Sequence, residues 1–417
     1  MRVLVLGAGV IGVTSAYELA RDGHQVTVID ANKSAAEGTS FANAGMVAVG
    51  HAFAWASPRA PRMMLRSIFG SEQPIRFRPR LSPDQWAWGL RFLRECTAER
   101  ARRNTSVKHR LCSYSQKMLH RVVQETGIQY NATREGLLYF HRSPETFDRG
   151  VTNMRFLEQM GQKIEVIDTA RVIALEPSLA PQAAHIAGGI YAGTDESGDA
   201  NLFTRRLFER CVELGVTFRM GETVRRLVEN QGVLERVITD RSEYTADACV
   251  VALGPHSARL TRQVGVSLPI YPVKGYSVTF PLREGRDNAL TRGVVDEDNL
   301  LAVTPIGSML RATSVAEITG YDDSHHPAQF APMVRKLRAL FPDAADYDKP
   351  SYWAGLRPMT PDGPPRIGKS RVGGLFVNTG QGHMGWTMAC GSARILADIV
   401  GQKTPEIDTK GLEVRAA

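Results

Sequence analysis

Three glycines near the N-terminus, Gly7, Gly9 and Gly12, have the spacing of a turn that binds phosphate groups. They follow the apolar run of residues 3–6 and precede a segment whose apolar residues have helical spacing. In such a turn the first glycine permits a tight bend, the second lets the backbone approach a pyrophosphate, and the third lets the helix pack close to the strand. The free N–H groups at the helix N-terminus then bind the phosphates. The pattern predicts a dinucleotide site.

Asp30 ends a second apolar run, residues 26–30, in the position of the acidic residue of a dinucleotide-binding unit. A carboxylate there accepts hydrogen bonds from both hydroxyl groups of a ribose. The alternative for this segment is a secretory signal, because Arg2 precedes the first apolar run. The glycines and the charged residues of 18–22 interrupt that run, and we therefore reject the signal.

Two later glycine-rich segments favour FAD over NAD as the dinucleotide. Residues 248–254 read as a buried strand that ends in Gly254, and residues 375–388 form a second strand-to-helix turn with three glycines. A nicotinamide enzyme needs only one such turn, whereas a helix N-terminus near a flavin stabilises negative charge on its reduced ring. An NAD-dependent dehydrogenase is the alternative, as is a simple strand-to-helix connection at 375–388.

The composition is that of a large enzyme without metal or disulfide chemistry. The chain has 417 residues, 43% of them hydrophobic, and five scattered cysteines with no C-x-x-C pair. We expect reduced thiols in a cytoplasmic protein, and no metal, because no histidine–carboxylate cluster has ligand spacing. The adjacent pair His325 and His326 lies in a polar stretch that predicts an exposed loop. No stretch is long and apolar enough to predict a transmembrane helix.

Positive charge is concentrated between Arg59 and Arg110. This segment holds 13 Lys/Arg and four Asp/Glu, a local charge of +9 in a chain whose total is +8. Trp55, Trp86 and Trp88 lie in or beside it. Basic residues mixed with Trp and Leu favour docking on an anionic membrane surface, and a solvated helical face is the alternative. Nucleic acid is not expected, because no reader motif accompanies the charge.

The order of predicted elements indicates an α/β fold in which a Rossmann-like dinucleotide-binding domain is interrupted by a second, α+β domain. After the first unit, loops and helices replace the strand–helix alternation, and a helix start is expected at residues 82–84. Residues 268–320 alternate as an antiparallel sheet. We predict a cofactor domain built from residues 1–56, 165–267 and 351–417, and a substrate domain built from residues 57–164 and 268–350.

Several motifs give the chain an end-to-end resemblance to a known family. They are the N-terminal fingerprint and residues 39–45, 195–199, 271–277, 352–363 and 378–391. In these segments the chain resembles the D-amino acid dehydrogenase small-subunit family, one of the flavin amine oxidoreductases that include glycine oxidase and sarcosine oxidase. The resemblance implies an FAD-dependent enzyme that oxidises the Cα–N bond of a D-amino acid by hydride transfer, giving an imino acid that water hydrolyses to a 2-oxo acid.

The resemblance also assigns two catalytic residues. The arginine of the Gly-Leu-Arg-Pro motif, here Arg357, is expected to bind the substrate carboxylate, because a guanidinium fork makes two parallel charge-assisted bonds to it. The tyrosine of Lys-Gly-Tyr-Ser, here Tyr276, is expected to supply a hydroxyl beside that clamp. The alternatives are an ion pair between Arg357 and Asp362, and a core position for Tyr276 on a sheet. Lys274 is expected to be structural.

FAD is expected to bind without a covalent link, because no cysteine lies near Arg357 in sequence. Residues 43–47 are placed along the flavin ring by their position in the family, and His383 lies in the second glycine turn. The expected cofactor contacts are Gly7, Ala8, Gly9, Val10, Ile11, Gly12, Asp30, Ala31, Ser40, Asn43, Ala44, Gly45, Met46, Val224, Ala252, Gly254, Gly355, Gly380, Gly382, His383, Met384, Gly385, Trp386 and Thr387.

The chain departs from the family pattern where the pocket should be shaped. Met46 replaces a usual glutamine, and residues 134–138 and 311–314 replace smaller or more polar motifs. The preferred side chain therefore stays open, and D-proline or cis-4-hydroxy-D-proline is an alternative to an alanine-like substrate.

The route of the electrons and the setting of the protein also stay open. An electron-transfer subunit of a hetero-oligomer and a non-catalytic flavoprotein compete with an enzyme that turns over alone. The family and the basic segment favour a quinone or a different membrane-side acceptor and a cytoplasmic protein peripheral to the inner membrane. An oxidase is not excluded, because oxygen reactivity depends on access to the flavin, which sequence spacing does not report.

Overall fold

The structure is a computed structural model that describes residues 1–69, 75–283 and 290–414, with residues 66–69 described by their backbone alone. The strands are β1 (Arg2–Leu6), β2 (Gln25–Asp30), β3 (Met46–Val47), β4 (Ile75–Phe77), β5 (Leu137–His141), β6 (Glu165–Ile167), β7 (Gly188–Ala192), β8 (Glu196–Ser197), β9 (Thr217–Met220), β10 (Val224–Asn230), β11 (Val233–Thr239), β12 (Glu243–Tyr244), β13 (Ala248–Val251), β14 (Tyr271–Pro281), β15 (Gly293–Asp296), β16 (Leu301–Ile306), β17 (Met309–Ile318), β18 (Ser351–Met359), β19 (Arg366–Lys369) and β20 (Leu375–Thr379). The α-helices are α1 (Val10–Arg21), α2 (Ala60–Phe69), α3 (Pro83–Glu95), α4 (Ala98–Thr126), α5 (Pro144–Glu158), α6 (Thr169–Leu175), α7 (Ala200–Glu213), α8 (Ser257–Arg262), α9 (Ala331–Leu340) and α10 (Gly385–Val400).

The first sheet has the order β19-β20-β13-β1-β2-β9, and all of its neighbours except β19 and β20 pair in parallel. Its central strand β1 is buried on both faces, as parallel sheets require. Val3 and Val5 pack in the core that holds α1, α4 and α10, whereas Leu4 and Leu6 pack in the core beside β10, β11 and α8. This sheet carries the N-terminal glycine turn at the carboxyl end of β1.

The second sheet is larger and mainly antiparallel, with the order β18-β14-β17-β16-β15-β5-β7-β6 and with β4 added alongside β17. One face packs on α6 and α9 through Val278, Phe280 and Leu337. The opposite face contacts the segment that follows β2, because Arg311 Nη1 donates to Asn43 O and Thr304 Oγ1 donates to Ala44 O. The space between this face and the first sheet is where a site can form.

The predicted α/β class with an antiparallel second sheet is confirmed, but two predicted domain boundaries do not match the sheets. Strands β6 and β7 pair with β5 in the second sheet, although the sequence places residues 165–192 in the cofactor domain. Strand β18 pairs with β14, although the sequence places residues 351–359 in that domain as well. The division of the chain into domains otherwise stays a prediction.

The helix predicted to start at residues 82–84 is α3, and it ends at Glu95. A new helix, α4, begins after Thr97, whose side chain accepts a hydrogen bond from Arg100 N and so caps the first turn. Its 29 residues pack along α10. Within the described residues, no helix has the length and apolar character needed to cross a bilayer.

Candidate active site

The N-terminal glycine turn has the geometry that its spacing predicts. Gly7 has φ +111°, a value that residues with a Cβ rarely adopt. A Cβ on Gly12 would lie 1.8 Å from Gly7 O, and a Cβ on Gly7 would lie 2.6 Å from Ala252 O. Helix α1 therefore crosses close to β1 and β13 only because these positions are glycine. Gly9, at the N-cap, has no side chain to cap α1, and Ser40 Oγ accepts only from Val10 N, so the other N–H groups of the first turn are left for a ligand.

Asp30 lies at the carboxyl end of β2, beside this turn. Its Oδ2 accepts from Ala8 N at 2.6 Å, and its Oδ1 accepts from Asn32 N at 2.7 Å. Asp30 Oδ1 also accepts from Asn32 Nδ2 at 3.0 Å, so Oδ2 is the oxygen with a further lone pair for a ribose hydroxyl. Ser40 Oγ accepts from Val10 N at 3.0 Å, which brings the segment after β2 to the helix N-terminus.

The segment 43–46 is held between the two sheets. Asn43 Oδ1 accepts from Gly45 N at 2.8 Å, and Gly45 has φ +69°. A Cβ at Gly45 would lie 2.8 Å from both Gly198 O and Ile306 Cδ1. Met46 pairs with Ser197 across β3 and β8. The segment thus runs from the dinucleotide turn to the face of the second sheet, as its predicted place along a flavin requires.

The second glycine turn joins β20 to α10. Gly380 and Gly382 have φ +87° and +60°. Ala48 N donates to Thr387 Oγ1 at 3.2 Å, so the start of α10 lies beside the segment that follows Met46. The Trp386 indole is buried against Phe203 with ring centroids 4.8 Å apart, and its Nε1 has no hydrogen-bond partner among the described residues. Its contact with the cofactor stays a prediction.

The other residues predicted to contact the cofactor lie at separate positions around the first sheet. Ala252 is buried at the end of β13, and Gly254 has φ +53° with open space where a Cβ would be. Ala31 is exposed after β2. Glu222 N donates to Asp30 O at 2.9 Å, which brings the residues before Val224 beside Asp30.

Arg357 lies on the face of the second sheet that contacts the segment 43–46. Strands β14 and β18 pair Val273 with Arg357, Gly275 with Gly355, and Ser277 with Trp353, so these side chains share one face. A Cβ on Gly275 would lie 2.4 Å from Arg357 Nη2, and a Cβ on Gly355 would lie 2.1 Å from the Trp353 ring. The glycine pair is therefore a floor on which the guanidinium and the indole lie.

The guanidinium of Arg357 is oriented by the backbone rather than by a carboxylate. Its Nη1 donates to Val315 O at 3.0 Å, and no ion pair joins it to an acid in the described chain. Asp362, the predicted alternative partner, instead binds Arg366 at 2.7 Å. Burial lowers the pKa of Arg357 to about 10, which leaves it charged at neutral pH. A half-buried cation with unused donors is suited to an anionic ligand.

Tyr276 does not lie beside Arg357, and this prediction needs correction. Successive residues of a strand point to opposite faces, so Tyr276 faces away from Gly275 and its arginine. Its hydroxyl donates to Glu317 Oε2 at 2.6 Å, and its ring packs edge-on against Phe330 in the core over α9. Tyr276 is 1% exposed, so the alternative of a core tyrosine fits its place.

Ser277 supplies a test of whether the site fits FAD. Its Oγ is buried and has no hydrogen-bond partner among the described residues, although it lies on the face of Arg357. Thr279, two residues further on this face, accepts from Arg311 Nε, and Arg311 in turn binds Asn43 O. An unpaired buried hydroxyl is costly unless a ligand completes it. Together with the free N–H groups of α1 and the carboxylate of Asp30, this arrangement fits an extended dinucleotide that ends in a polar ring.

Three residues near His383 were not identified from the sequence as part of a site. The His383 ring stacks on Trp55 with centroids 4.8 Å apart. Lys108 is 1% exposed, and its Nζ donates to Phe53 O at 2.5 Å. His51 forms an ion pair with Glu297 at 3.0 Å. The sequence signalled Lys108 only as one cation of a basic segment, and its burial on α4 could not be read from its neighbours.

Replacing Gly275 by alanine is expected to displace Arg357 and to raise KM for an amino-acid substrate. The new Cβ would overlap Nη2 and Cζ, so the side chain must leave its rotamer, and overpacking of this kind costs about 1–3 kcal/mol. Gly89→Ala is the matched control, since nothing lies within 4 Å of a Cβ there. Steady-state kinetics of both variants measure the effect, and an unchanged KM in Gly275→Ala would mean that the guanidinium does not hold the substrate.

Comparison with known proteins identifies the family to which a chain with this geometry belongs. Residues 2–399 match the family model described as FAD dependent oxidoreductase. The chain is 46% identical over 413 residues to D-amino acid dehydrogenase 2 of Mesorhizobium japonicum, with 99% of both chains covered. It is 44% identical over 413 residues to a D-amino acid dehydrogenase of Methylobacterium radiotolerans, with 99% and 98% covered. Glycine oxidase from Geobacillus kaustophilus shares the fold, with a TM-score of 0.75, 23% identity, and 100% and 99% covered.

Proposed function

This chain belongs to the family of FAD-dependent oxidoreductases, and we propose that it catalyses the oxidative deamination of D-amino acids. The observation that carries the proposal is the position of the Arg357 guanidinium over the Gly275–Gly355 floor. Its Nη1 donates to Val315 O, and its other N–H donors are unused. A planar fork of this kind binds a carboxylate through two parallel bonds. The preference for the D isomer is supported by the names of the relatives at 46% and 44% identity.

The protein contributes binding and orientation to this reaction. Arg357 holds the substrate carboxylate, while the segment 43–46 and the start of α10 hold the ring of the cofactor without a covalent link. Bound FAD supplies the two-electron acceptor. Fixing the carboxylate fixes the direction of the Cα–H bond, and such positioning supplies much of the rate. No strong general base is needed, because a deprotonated amine releases hydride from Cα directly.

Turnover of the purified protein with an artificial dye tests this proposal. D-amino acids with a primary amine are expected to give one 2-oxo acid and one ammonium ion for each dye reduced by two electrons. Cyclic secondary amines are expected to give a cyclic imine without ammonium, and L isomers are expected to give no product. Full activity of the isolated chain would exclude an electron-transfer subunit that works only in a hetero-oligomer. The panel includes D-proline and cis-4-hydroxy-D-proline, since the arginine clamp recognises only the carboxylate. Consumption of oxygen in place of dye would identify an oxidase.

We further propose that α3 docks the protein on an anionic membrane, where a quinone accepts the electrons. One side of α3 is buried through Gln85, Trp88 and Phe92. The other side exposes an apolar stripe of Trp86, Leu90 and Leu93, with exposures of 51%, 59% and 47%. Residues 70–74 of the basic segment lie outside the described part of the chain. Exposed apolar side chains flanked by arginines are typical of helices that lie on lipid headgroups.

Leu90→Glu is expected to release the protein from vesicles that contain anionic lipid. The substitution places a negative charge in the apolar stripe, where it is repelled by the headgroups. Val212→Glu is the matched control, because Val212 is 51% exposed on α7 and lies outside the basic segment. Co-sedimentation measures binding, which is also expected to weaken in high salt because the attraction is screened. Binding that is indifferent to salt and to Leu90→Glu would exclude this docking surface.

A further inference from the structure

The turn that carries His383 lies against the end of the strand that carries Arg357. Met359 and Gln381 form an isolated β-bridge. A Cβ on Gly382 would lie 2.9 Å from Met359 Sδ. Arg357 and His383 are therefore neighbours at one border of the site, although they are far apart in sequence.

The His383 ring is fixed on one face and open at its edge. It stacks on Trp55 at an interplanar angle of 28°, which sets the plane of the ring. His383 is half-buried, and neither ring nitrogen has a hydrogen-bond partner in the described part of the chain. A neutral imidazole has one donor and one acceptor nitrogen, so it can accept a hydrogen bond from a ligand.

Positive groups surround this ring from three elements. They are Arg357 on β18, Lys108 on α4, and His51 in the turn before α2. Burial, and then these three charges, hold the pKa of His383 well below its usual range. Burial also lowers the pKa of Lys108 to about 8. For His51, burial is outweighed by Glu297, which raises the pKa.

The acidic residues near these positive groups, Glu297 and Asp195, form their contacts with residues other than His383 and Arg357. Glu297 binds His51, and Asp195 accepts from Gly50 N at 2.9 Å and from the Tyr139 hydroxyl at 3.0 Å. Among the described residues, neither Arg357 nor Lys108 has an ion pair with a carboxylate. A net positive environment stabilises a carboxylate and disfavours an ammonium group. An amino acid bound here is thus favoured as its anion, with a neutral amine.

We propose that His383 is a catalytic residue that accepts a hydrogen bond from the neutral amino group of the substrate, while Arg357 binds the carboxylate. This inference rests on the proposed function. The substrate ammonium group first loses one proton to solvent. The Cα–H bond then breaks with its electron pair going to the flavin as hydride, and the nitrogen lone pair forms the C=N bond. The iminium product takes up water and leaves as a 2-oxo acid and an ammonium ion.

Binding of unreactive ligands to the FAD-loaded protein tests this role without turnover. The probe is 2-aminoisobutyrate, which has the amine and the carboxylate but no Cα–H, and the reference ligand is propanoate, which lacks the amine. Perturbation of the flavin spectrum gives both Kd values. His383→Leu is expected to raise the Kd of 2-aminoisobutyrate about tenfold and to leave that of propanoate within about twofold. His383→Gln is expected to recover part of the loss, because its amide oxygen is an acceptor. Equal effects on both ligands, or none on 2-aminoisobutyrate, would overturn the proposal.

The pH dependence of binding to the unaltered protein provides a measurement that does not depend on folding of a variant. If the amine binds neutral, each binding event releases a proton, and Kd for 2-aminoisobutyrate falls about tenfold per pH unit between about pH 6 and 7. A Kd that stays constant over this range would contradict the proposal. A protein that no amino acid reduces would refute the proposed function, whereas one that is reduced but binds 2-aminoisobutyrate equally with His383→Leu would refute only this inference.

Discussion

Arg357→Ala is expected to lower kcat/KM for D-amino acids by about 2–5 kcal/mol, the largest loss for any single side chain of the site. The variant removes both bonds to the carboxylate and leaves that anion in a half-buried place without a partner. It also leaves Val315 O without the hydrogen bond that it accepts from Arg357 Nη1 at 3.0 Å in the unaltered protein. Arg357→Lys is expected to recover only part of the loss, because an ammonium group cannot make the paired bonds of a guanidinium.

Steady-state kinetics with a dye acceptor measure this effect, and Arg210→Ala provides the control. Arg210 lies on α7 in an exposed ion pair with Glu213, and its loss is expected to change neither KM nor kcat. FAD content should stay the same in both variants, because Arg357 is assigned to the substrate rather than to the cofactor. Activity of Arg357→Ala equal to that of the unaltered protein would leave a non-catalytic flavoprotein as the better description.

Gly12→Ala is expected to abolish FAD binding. The added Cβ would lie 1.8 Å from Gly7 O, a distance that forces α1 away from β1. The free N–H groups at the start of α1 would then leave the positions in which they bind the pyrophosphate. The variant should purify without the yellow colour of the flavin, and its melting temperature should not rise when FAD is added.

Gly89→Ala is the appropriate control for Gly12→Ala. Gly89 lies inside α3, and nothing described lies within 4 Å of a Cβ there. Alanine in a helix interior is favoured over glycine by about 1 kcal/mol, so this variant should retain FAD and be slightly more stable. An absorption spectrum and a thermal melt of the two variants suffice. Retention of FAD by Gly12→Ala would show that the turn does not hold the pyrophosphate.

The glycine turns of the cofactor site could be predicted from the sequence, because the residues that form each turn lie close together in the chain. Gly7, Gly9 and Gly12 fall in one turn, and Asp30 ends the next strand, so spacing alone brings them together. The second turn at 380–385 was readable for the same reason. Both predictions rest on steric needs that only glycine meets, such as the 1.8 Å approach at Gly12.

The arrangement of the substrate site depends on the register in which strands pair, and a sequence motif does not show that register. Gly275 and Tyr276 are adjacent, yet they point to opposite faces of β14, and only the pairing with β18 shows which face holds Arg357. The register of β14 and β17 also shifts next to Val315, a β-branched residue with φ +64°. Such a conformation is strained, and here its carbonyl orients Arg357. No pattern in the sequence signalled it.

Long-range packing accounts for the differences in the sheets and on α4. Strands β6 and β7 join the second sheet through β5, and β18 joins it through β14. Their sequences read as strands, but the residue pattern of a strand does not say which sheet it joins. Lys108 likewise reads as a surface cation of a basic segment, but segments distant in sequence cover it, since its Nζ donates to Phe53 O and a Cβ on Gly363 would lie 3.2 Å from its Cδ.

Anaerobic reduction of the visible flavin spectrum by paired D- and L-amino acids tests the central claim most directly. The panel includes D-alanine, D-proline and the hydroxyproline isomers, and no external acceptor is present. We predict bleaching of the flavin band by D isomers alone, at a rate that Arg357→Ala lowers strongly. A yellow protein that no D-amino acid bleaches, or one that L isomers bleach equally fast, would contradict the proposed function while leaving the FAD-binding fold intact.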